Sequence, residues 1–246
     1  MSSDAELTIF EHLDELRSCM LKAALALVVG TAASVVFAKR MIEILIAPLA
    51  QAPQTIKPTE GIGVYFRVAL IGGVALAMPV IVYQVIRFMM PGLLPEEKKY
   101  LYFVLPGVTV CFVGGVAFAR LIMLPAAIGF MQSFLQDTIE NRWTLDNYIS
   151  FVTRGLFWMG VVFQTPLLMF LLAKLNLVTA EKLRRSRKYA VLAIAVVAAI
   201  VTPTPDPVNM MIVMAPLYIL YEVGIQLARI AAIGRPSEEE EADTAS

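Results

Sequence analysis

The sequence predicts an all-α integral membrane protein with six transmembrane helices and a concave face. Of its 246 residues, 59% are hydrophobic, against ~45–50% in a typical soluble domain. The 20 basic and 20 acidic residues fall in short segments between long uncharged stretches, the pattern of a chain that crosses a bilayer several times. A net charge of zero gives no attraction to nucleic acid.

Three parts are expected along the chain. Residues 1–19 carry apolar side chains at helical spacing opposite acidic ones, which predicts an amphipathic helix on the cytoplasmic surface of the membrane. Residues 20–230 form the six-helix transmembrane domain. Residues 231–246 end in EEEEADTAS, whose charge and low hydrophobicity predict a disordered cytoplasmic tail.

The first four spans are predicted at residues 20–38, 68–86, 101–119 and 155–173. Prolines break residues 39–63 into an outer segment that holds a short interfacial helix at residues 41–46. Residues 120–153 are expected to form a second, longer outer segment. Prolines inside four of the six spans predict kinks, and kinked helices of unequal length make a curved wall more readily than a tight bundle.

The fifth and sixth spans are expected to be short. The fifth can run only from Tyr189 to about Thr202 before TPTPDP follows, which gives ~21 Å of helix against a hydrocarbon core of ~30 Å. The sixth starts after Pro207 and meets Glu222 about fifteen residues later. The two helices are therefore predicted to form a hairpin that stops short of crossing the full bilayer and thins it locally.

Basic residues set the expected orientation. With the N-terminus inside, thirteen lysines and arginines lie in segments that face the cytoplasm and seven in the outer segments. Because positive charge concentrates on the cytoplasmic side, both termini are predicted there, in a multi-pass protein of the inner membrane.

Two acidic stretches on that side have two interpretations. Glu96 and Glu97 follow Pro95, and acids in a first helical turn stabilise the helix start. A carboxylate at a membrane surface can instead bind a cationic ligand, since the surface normally draws basic side chains. The acidic residues Glu11, Asp14 and Glu15 are either the solvated face of a helix or a second acidic wall of the same site. Two separate carboxylates suit two guanidinium groups.

Polar residues inside the spans are few. Gln164 lies in mid-span before Pro166, where it either satisfies a carbonyl freed by the proline or lines a polar cavity. Glu222 either reaches the interface or faces a groove. With one histidine, two cysteines and no HExxH, GxSxG or CxxC motif, no enzyme activity, metal site or cofactor is predicted. A small polytopic transporter or channel is the alternative, although it would carry more ionisable residues inside its spans.

Several motifs occur in order along residues 8–230. They are HLDELR at 12–17, APL at 47–49, MPVIVYQV at 78–85, FMMPGLLPEEKK at 88–99, SFVTRGLFWMGVVFQTP at 150–166, LRRSRKY at 183–189, TPTPD at 202–206 and PLYILYEVGI at 216–225. Together they resemble the TatC family, the multi-spanning receptor subunit of the twin-arginine protein translocase. The resemblance implies a receptor for folded cargo whose signal peptide carries paired arginines. By motif position, Glu15 and Glu97 would contact the arginines, with Arg17 and Phe88 shaping the site.

The resemblance also implies roles for residues further along the chain. Pro48 and Asp206 match family positions in the outer loops, and Glu222 matches an acid of the sixth span. At Gln164 the family commonly has glutamate; glutamine keeps the hydrogen bonding without the titratable charge, which leaves a polar contact to a partner helix. The implied partners are TatA- and TatB-like single-span subunits, the lipid bilayer and further copies of the chain, with transport driven by the proton-motive force.

Overall fold

The computed structural model describes residues 9–49, 52–89, 101–134, 142–202 and 206–232. In this part the chain is helical apart from its connections, and one isolated bridge pairs Gln54 with Thr144. The helices are α1 (Ile9–Ile46), α2 (Glu60–Met89), α3 (Leu101–Phe118), a π-helical turn (Ala119–Met123), α4 (Leu124–Ser133), α5 (Leu145–Val162), α6 (Thr165–Lys174), α7 (Ala180–Arg185), α8 (Arg187–Val201) and α9 (Pro207–Ala232).

Five helical stretches of the described part are long and apolar enough to cross a membrane. They are Leu13–Ile46, Glu60–Phe88, Leu105–Ser133, Leu145–Lys174 and Pro207–Ala231. The remaining apolar helix, α8, has 15 residues, or ~22 Å of helix. The all-helical membrane fold is confirmed, and so is the short fifth span.

Helix α1 runs unbroken for 38 residues, ~57 Å at the usual rise. A separate interfacial helix at residues 41–46 was expected, and this prediction is wrong because those residues are the last turns of α1. The first proline of the chain is Pro48, so nothing before it removes a backbone donor from the helix. No break marks residue 19 either, and the expected surface helix continues directly into the first span.

The third span continues well past its predicted end at residue 119. The π-helical turn follows α3 directly, with the N–H of Leu124 bonded to the carbonyl of Ala119, and α4 then runs on to Ser133. Pro125 has no N–H to offer, and a wider turn beside it keeps the helix continuous. The expected outer segment covered residues 120–153. Residues 120–133 and 145–153 of that segment are helical.

The fourth span is two helices, α5 and α6, interrupted at Phe163 and Gln164. Pro166 lacks an N–H, which leaves the carbonyl of Val162 without its helical partner. The hydroxyl of Thr165 donates to that carbonyl at 2.6 Å. The span also starts ten residues before the predicted start at residue 155, because Thr144 caps α5 by accepting the N–H of Asn147 at 3.4 Å.

The sixth span is not short, and this part of the prediction is wrong. Helix α9 has 26 residues and does not end at Glu222, since Oε2 of that carboxylate accepts a hydrogen bond from Arg187 at 2.7 Å. Beyond Glu222 the helix packs Ala228 and Ala231 against Ala173 of α6. Residues 207–221 form an uncharged stretch as long as α8, and α9 continues beyond Glu222, its first charged residue.

Helices α1 and α2 pack along each other in antiparallel orientation. Their closest approach is at Gly30, Thr31 and Gly73, where a Cβ built on Gly73 would lie 2.5 Å from the Cα of Thr31. The hydroxyl of Tyr65 donates to the carbonyl of Val35 at 2.6 Å. This contact fixes the register of the two helices, and the register positions the candidate site.

The end of the molecule where α1 stops, called the cap here, comprises the described residues 44–49, 52–60, 120–134 and 142–148. In it the backbone of Gln54 bonds to Trp143 and Leu145 at 2.9 and 2.8 Å. The carboxylate of Glu60 accepts the N–H groups of Asp146, Ile56 and Lys57 at 2.7, 2.8 and 3.2 Å. These bonds join the segment after α1 to the start of α5.

Buried contacts continue the cap into the core. The fully buried Tyr148 donates to the carbonyl of Leu45 at 2.9 Å, and Arg120 donates to the carbonyl of Ile44 at 3.1 Å. Arg67 of α2 pairs with Asp146 at 2.6 Å and also bonds to Ser150. The cap therefore holds α1, α2, the π-helical turn and α5 together, and the start of α1 lies at the opposite end of the molecule.

Candidate functional site

Three of the predicted signal-peptide residues lie at the end of the molecule opposite the cap, called the N-terminal end here. Glu15 is half-buried and Arg17 exposed near the start of α1, and Phe88 is half-buried near the end of α2. Glu15 is 16 residues before Thr31, and Phe88 is 15 residues after Gly73. Because Thr31 and Gly73 meet in an antiparallel crossing, Glu15 and Phe88 lie at the same depth.

Glu97, the other predicted arginine ligand, lies outside the described residues, as does Glu96. The described residues on either side of this segment are Met89, the last residue of α2, and Leu101, the first of α3. Both lie at the N-terminal end.

Two further residues lie one turn deeper at the same helix pair, and neither was predicted as part of the site. Gln84 of α2 is buried, and its Oε1 has no hydrogen-bond partner among the residues that the structure describes. Cys19 of α1 is buried at the corresponding level. The signal in the sequence was the spacing, since Gln84 precedes Phe88 by four residues and Cys19 follows Glu15 by four, which places each pair on one helix face.

Gln164 does not satisfy the carbonyl freed by Pro166, which Thr165 takes. Its Nε2 instead donates to the carbonyl of Val108 on α3 at 2.9 Å. Its Oε1 is buried and has no hydrogen-bond partner in the described part of the chain. The side chain therefore ties the interruption between α5 and α6 to α3 and retains one unused acceptor within the membrane.

Glu222 uses one of its two oxygens. Oε2 pairs with Arg187 at 2.7 Å, and the two side chains are 28% and 44% exposed respectively. Oε1 is buried and, among the residues described, has no partner. Next to it, the hydroxyl of Tyr221 donates to the carbonyl of Leu183 at 2.8 Å. Glu222 thus fixes the start of α8 against α9.

The two membrane-embedded positions are close in depth and face different neighbours. Met169 of α6 packs against Gly224 of α9, and these helices run parallel. Gln164, five residues before Met169, is therefore level with residue 219, about one turn from Glu222. Gln164 points towards α3 and Glu222 towards α8, so the structure does not join them in one site.

The two outer-loop positions are also apart. Pro48 is exposed directly after α1 and, with Tyr148 and Arg120, lines a small crevice of the cap. Asp206 is buried and caps α9, accepting the N–H and the side-chain amide of Asn209 at 2.7 and 2.8 Å. Asp206 stabilises the helix start by satisfying donors that no helical carbonyl reaches.

Within the described ranges no group of three His, Cys, Asp or Glu side chains is placed to hold a metal ion. Both cysteines are free thiols. The N-terminal end presents the carboxylate of Glu15, the guanidinium of Arg17 and the ring of Phe88 at one depth. The Oε1 of Gln84, which has no partner among the described residues, lies beside them.

Known proteins resemble the chain over nearly its full length. The family described as Sec-independent protein translocase protein (TatC) matches residues 11–216. A TatC protein of Carboxydothermus hydrogenoformans is 35% identical over 92% of this chain and 94% of its own, and one of Deinococcus radiodurans is 35% identical over 96% and 91%. A crystal structure of the twin arginine translocase receptor TatC superposes with a TM-score of 0.77 at 34% identity, covering 90% of this chain and all of the other.

Proposed function

The chain belongs to the TatC family of Sec-independent protein translocase proteins, and from that premise we propose that it binds the paired-arginine signal peptide of folded cargo at its N-terminal end. The family consists of membrane components of a translocase and not of enzymes. The observation that carries the proposal is the α1–α2 register, which brings Glu15 level with Phe88. The described residues on either side of the segment that holds Glu97, Met89 and Leu101, lie at this end as well.

The chemistry of these side chains fits an arginine pair. A guanidinium is planar and donates two parallel hydrogen bonds to one carboxylate, so two carboxylates hold two arginines with defined orientation. Lysine presents a point charge and cannot reproduce that geometry. Phe88 supplies a ring face on which a guanidinium or an apolar side chain of the peptide can stack.

The test is binding of two peptides to the intact protein in lipid nanodiscs. One peptide carries the arginine pair, and the other carries lysines at the same two positions. The arginine peptide should bind at least about tenfold more tightly, because charge-assisted hydrogen bonds contribute ~1.5–3 kcal/mol each. Equal affinity for the two peptides would contradict the proposal, whatever the absolute strength of binding.

The proposal extends to organisation of single-span TatA- and TatB-like subunits through polar groups within the membrane. Its support is that Gln164 and Glu222 each keep a buried oxygen without a partner in the described part. A polar atom left unpaired in hydrocarbon is costly, and a donor from a neighbouring helix would satisfy it.

Replacing Gln164 with leucine should weaken partner association while leaving stability nearly unchanged. Leucine loses the hydrogen bond to the carbonyl of Val108, worth ~0.5–1.5 kcal/mol, but it also removes the buried Oε1, whose burial without a described partner is unfavourable. The two effects oppose each other. One interhelical hydrogen bond is worth ~0.6–2 kcal/mol, so co-purification of the partner subunits should fall at least about threefold. The control is Gln226→Leu, at an exposed position of α9. An unchanged yield of partners with Gln164→Leu would restrict Gln164 to its bond with α3.

Location and energy source complete the proposal. We place the protein in the inner membrane as a multi-pass protein with both termini in the cytoplasm, self-associated in the working complex. Transport would be driven by the proton-motive force. The excess of basic residues in the segments at the N-terminal end supports this orientation.

A further inference from the structure

A dense group of cations lies in α7 and in the first two residues of α8. Residues 182–188 contain five of them, Lys182, Arg184, Arg185, Arg187 and Lys188, and we call this group the basic step. Two of the five are engaged, since Arg185 pairs with Glu181 at 2.6 Å and Arg187 pairs with Glu222 at 2.7 Å. In the described part of the chain the other three have no ion pair, and the step keeps a net positive charge.

The basic step is recessed relative to the end of α6. Only Ser186 separates α7 from α8, so the cations lie at the beginning of a 15-residue apolar helix. Arg187, at the start of α8, pairs with Glu222. Because Met169 of α6 contacts Gly224 of α9, Lys174 at the end of α6 is level with residue 229. Seven residues of helix put the start of α8 ~10 Å deeper than the end of α6.

The protein holds the step rigidly at that depth. Leu183 of α7 packs against Met169, Tyr221 and Ile225, and its carbonyl accepts the hydroxyl of Tyr221 at 2.8 Å. The apolar side of α7 is therefore used in contacts with α6 and α9, while the basic side chains of α7 are exposed. They point away from the protein.

The position of two cations at the start of α8 also favours binding of an anion. Arg187 and Lys188 are the first two residues of α8, where a positive charge opposes the helix dipole. The amine of Lys188 lies 4.9 Å from the ring centre of Tyr189, and this tyrosine is 64% exposed, as at a membrane interface. An anion bound here would be attracted by the side chains and by the helix start together.

We propose that the basic step binds the phosphate headgroups of anionic phospholipids. A lipid anion differs from a dissolved one because its acyl chains need an apolar surface next to the charge. Helix α8 provides that surface, since Val191, Leu192 and Val196 are exposed on the side of the step that faces the membrane centre. Arginine binds a phosphate through two parallel hydrogen bonds and lysine as a point charge, and clusters of 4–8 such residues next to a membrane helix favour anionic lipids.

This lipid site is independent of the signal-peptide proposal, since no step residue belongs to the peptide site. It does depend on the shortness of α8. A helix of ~22 Å draws the lipid surface towards the membrane centre to match its apolar length. The recessed cations then meet the headgroups at the depth where α8 begins.

The test compares three lipid-free preparations of the protein in detergent by native mass spectrometry. The first is the wild-type protein, and the second carries Lys182→Gln, Arg184→Gln and Lys188→Gln, which leaves both ion pairs in place. The third, called the cap control, removes the same charge at the cap end of the molecule, in the last turns of α1 and after it, by Lys39→Gln, Arg40→Gln and Lys57→Gln. Each is titrated with phosphatidylglycerol, phosphatidylcholine and inorganic phosphate.

Wild type and the cap control should retain phosphatidylglycerol at least about tenfold more tightly than phosphatidylcholine, and the step variant should lose that difference. Each basic residue near an anionic surface contributes about a fivefold change in affinity, so three together exceed the tenfold limit. Equal retention of the two lipids by wild type, or an equal loss in the cap control, would overturn the proposal. Displacement of the lipid by an equal concentration of inorganic phosphate would show a general anion site and would also overturn it.

Discussion

Replacing Glu15 or Glu97 with glutamine should weaken binding of a twin-arginine peptide by about 10- to 100-fold. Glutamine keeps the size of the side chain and one acceptor oxygen but removes the charge that makes the paired hydrogen bond with a guanidinium strong. A hydrogen bond to a charged group contributes ~1.5–3 kcal/mol, and each tenfold change in affinity corresponds to ~1.4 kcal/mol. Titration of a labelled peptide onto the protein in nanodiscs measures the effect.

The chain offers a matched control for each variant. Asp14 is exposed on the same helix as Glu15, and Glu96 precedes Glu97. Asp14→Asn and Glu96→Gln remove the same charge at neighbouring positions and should leave peptide affinity within about twofold. Binding of a twin-lysine peptide should be weak in all five proteins. If the control variants lost as much affinity as Glu15→Gln and Glu97→Gln, the acidic residues would act through net charge alone.

Replacing Gly73 with alanine should produce the largest loss of stability among conservative single substitutions in α2. The added Cβ would lie 2.5 and 2.6 Å from the Cα and N of Thr31. These are backbone atoms, so no side-chain rotation relieves the overlap and α1 has to move away from α2. Overpacking of this kind costs ~1–3 kcal/mol, which corresponds to a fall in melting temperature of about 2–12 °C for a protein of this length.

The matched control is Gly63→Ala in the same helix, where no described atom lies within 4 Å of the added Cβ. There the higher helix propensity of alanine should leave the melting temperature unchanged or raise it, by at most ~1 kcal/mol. Thermal unfolding in detergent, followed by size-exclusion chromatography, compares the two variants with wild type. Equal melting temperatures for the two would mean that the α1–α2 crossing is looser than the structure has it.

Composition and charge pattern predicted the helical membrane fold and the short fifth span, because apolar length between charged or proline-rich segments is a one-dimensional property. The ends of spans were predicted less well. The third span was predicted to end at residue 119, yet Arg120 remains helical and donates to the carbonyl of Ile44. The sixth was judged short because of Glu222, which the helix accommodates by pairing it with Arg187.

The sequence alone determined the family, through motifs whose order and spacing are local, and it predicted the side chains of the proposed arginine-binding site. Which of those residues meet depended on tertiary structure. The register of α1 against α2 is set by Gly30, Thr31 and Gly73 at a distance of more than ~20 Å from the site. Likewise, the hydrogen-bond partner of Gln164 is the carbonyl of Val108 on α3, a helix distant in sequence. Contacts of this kind arise from packing in three dimensions, which spacing along one helix does not encode.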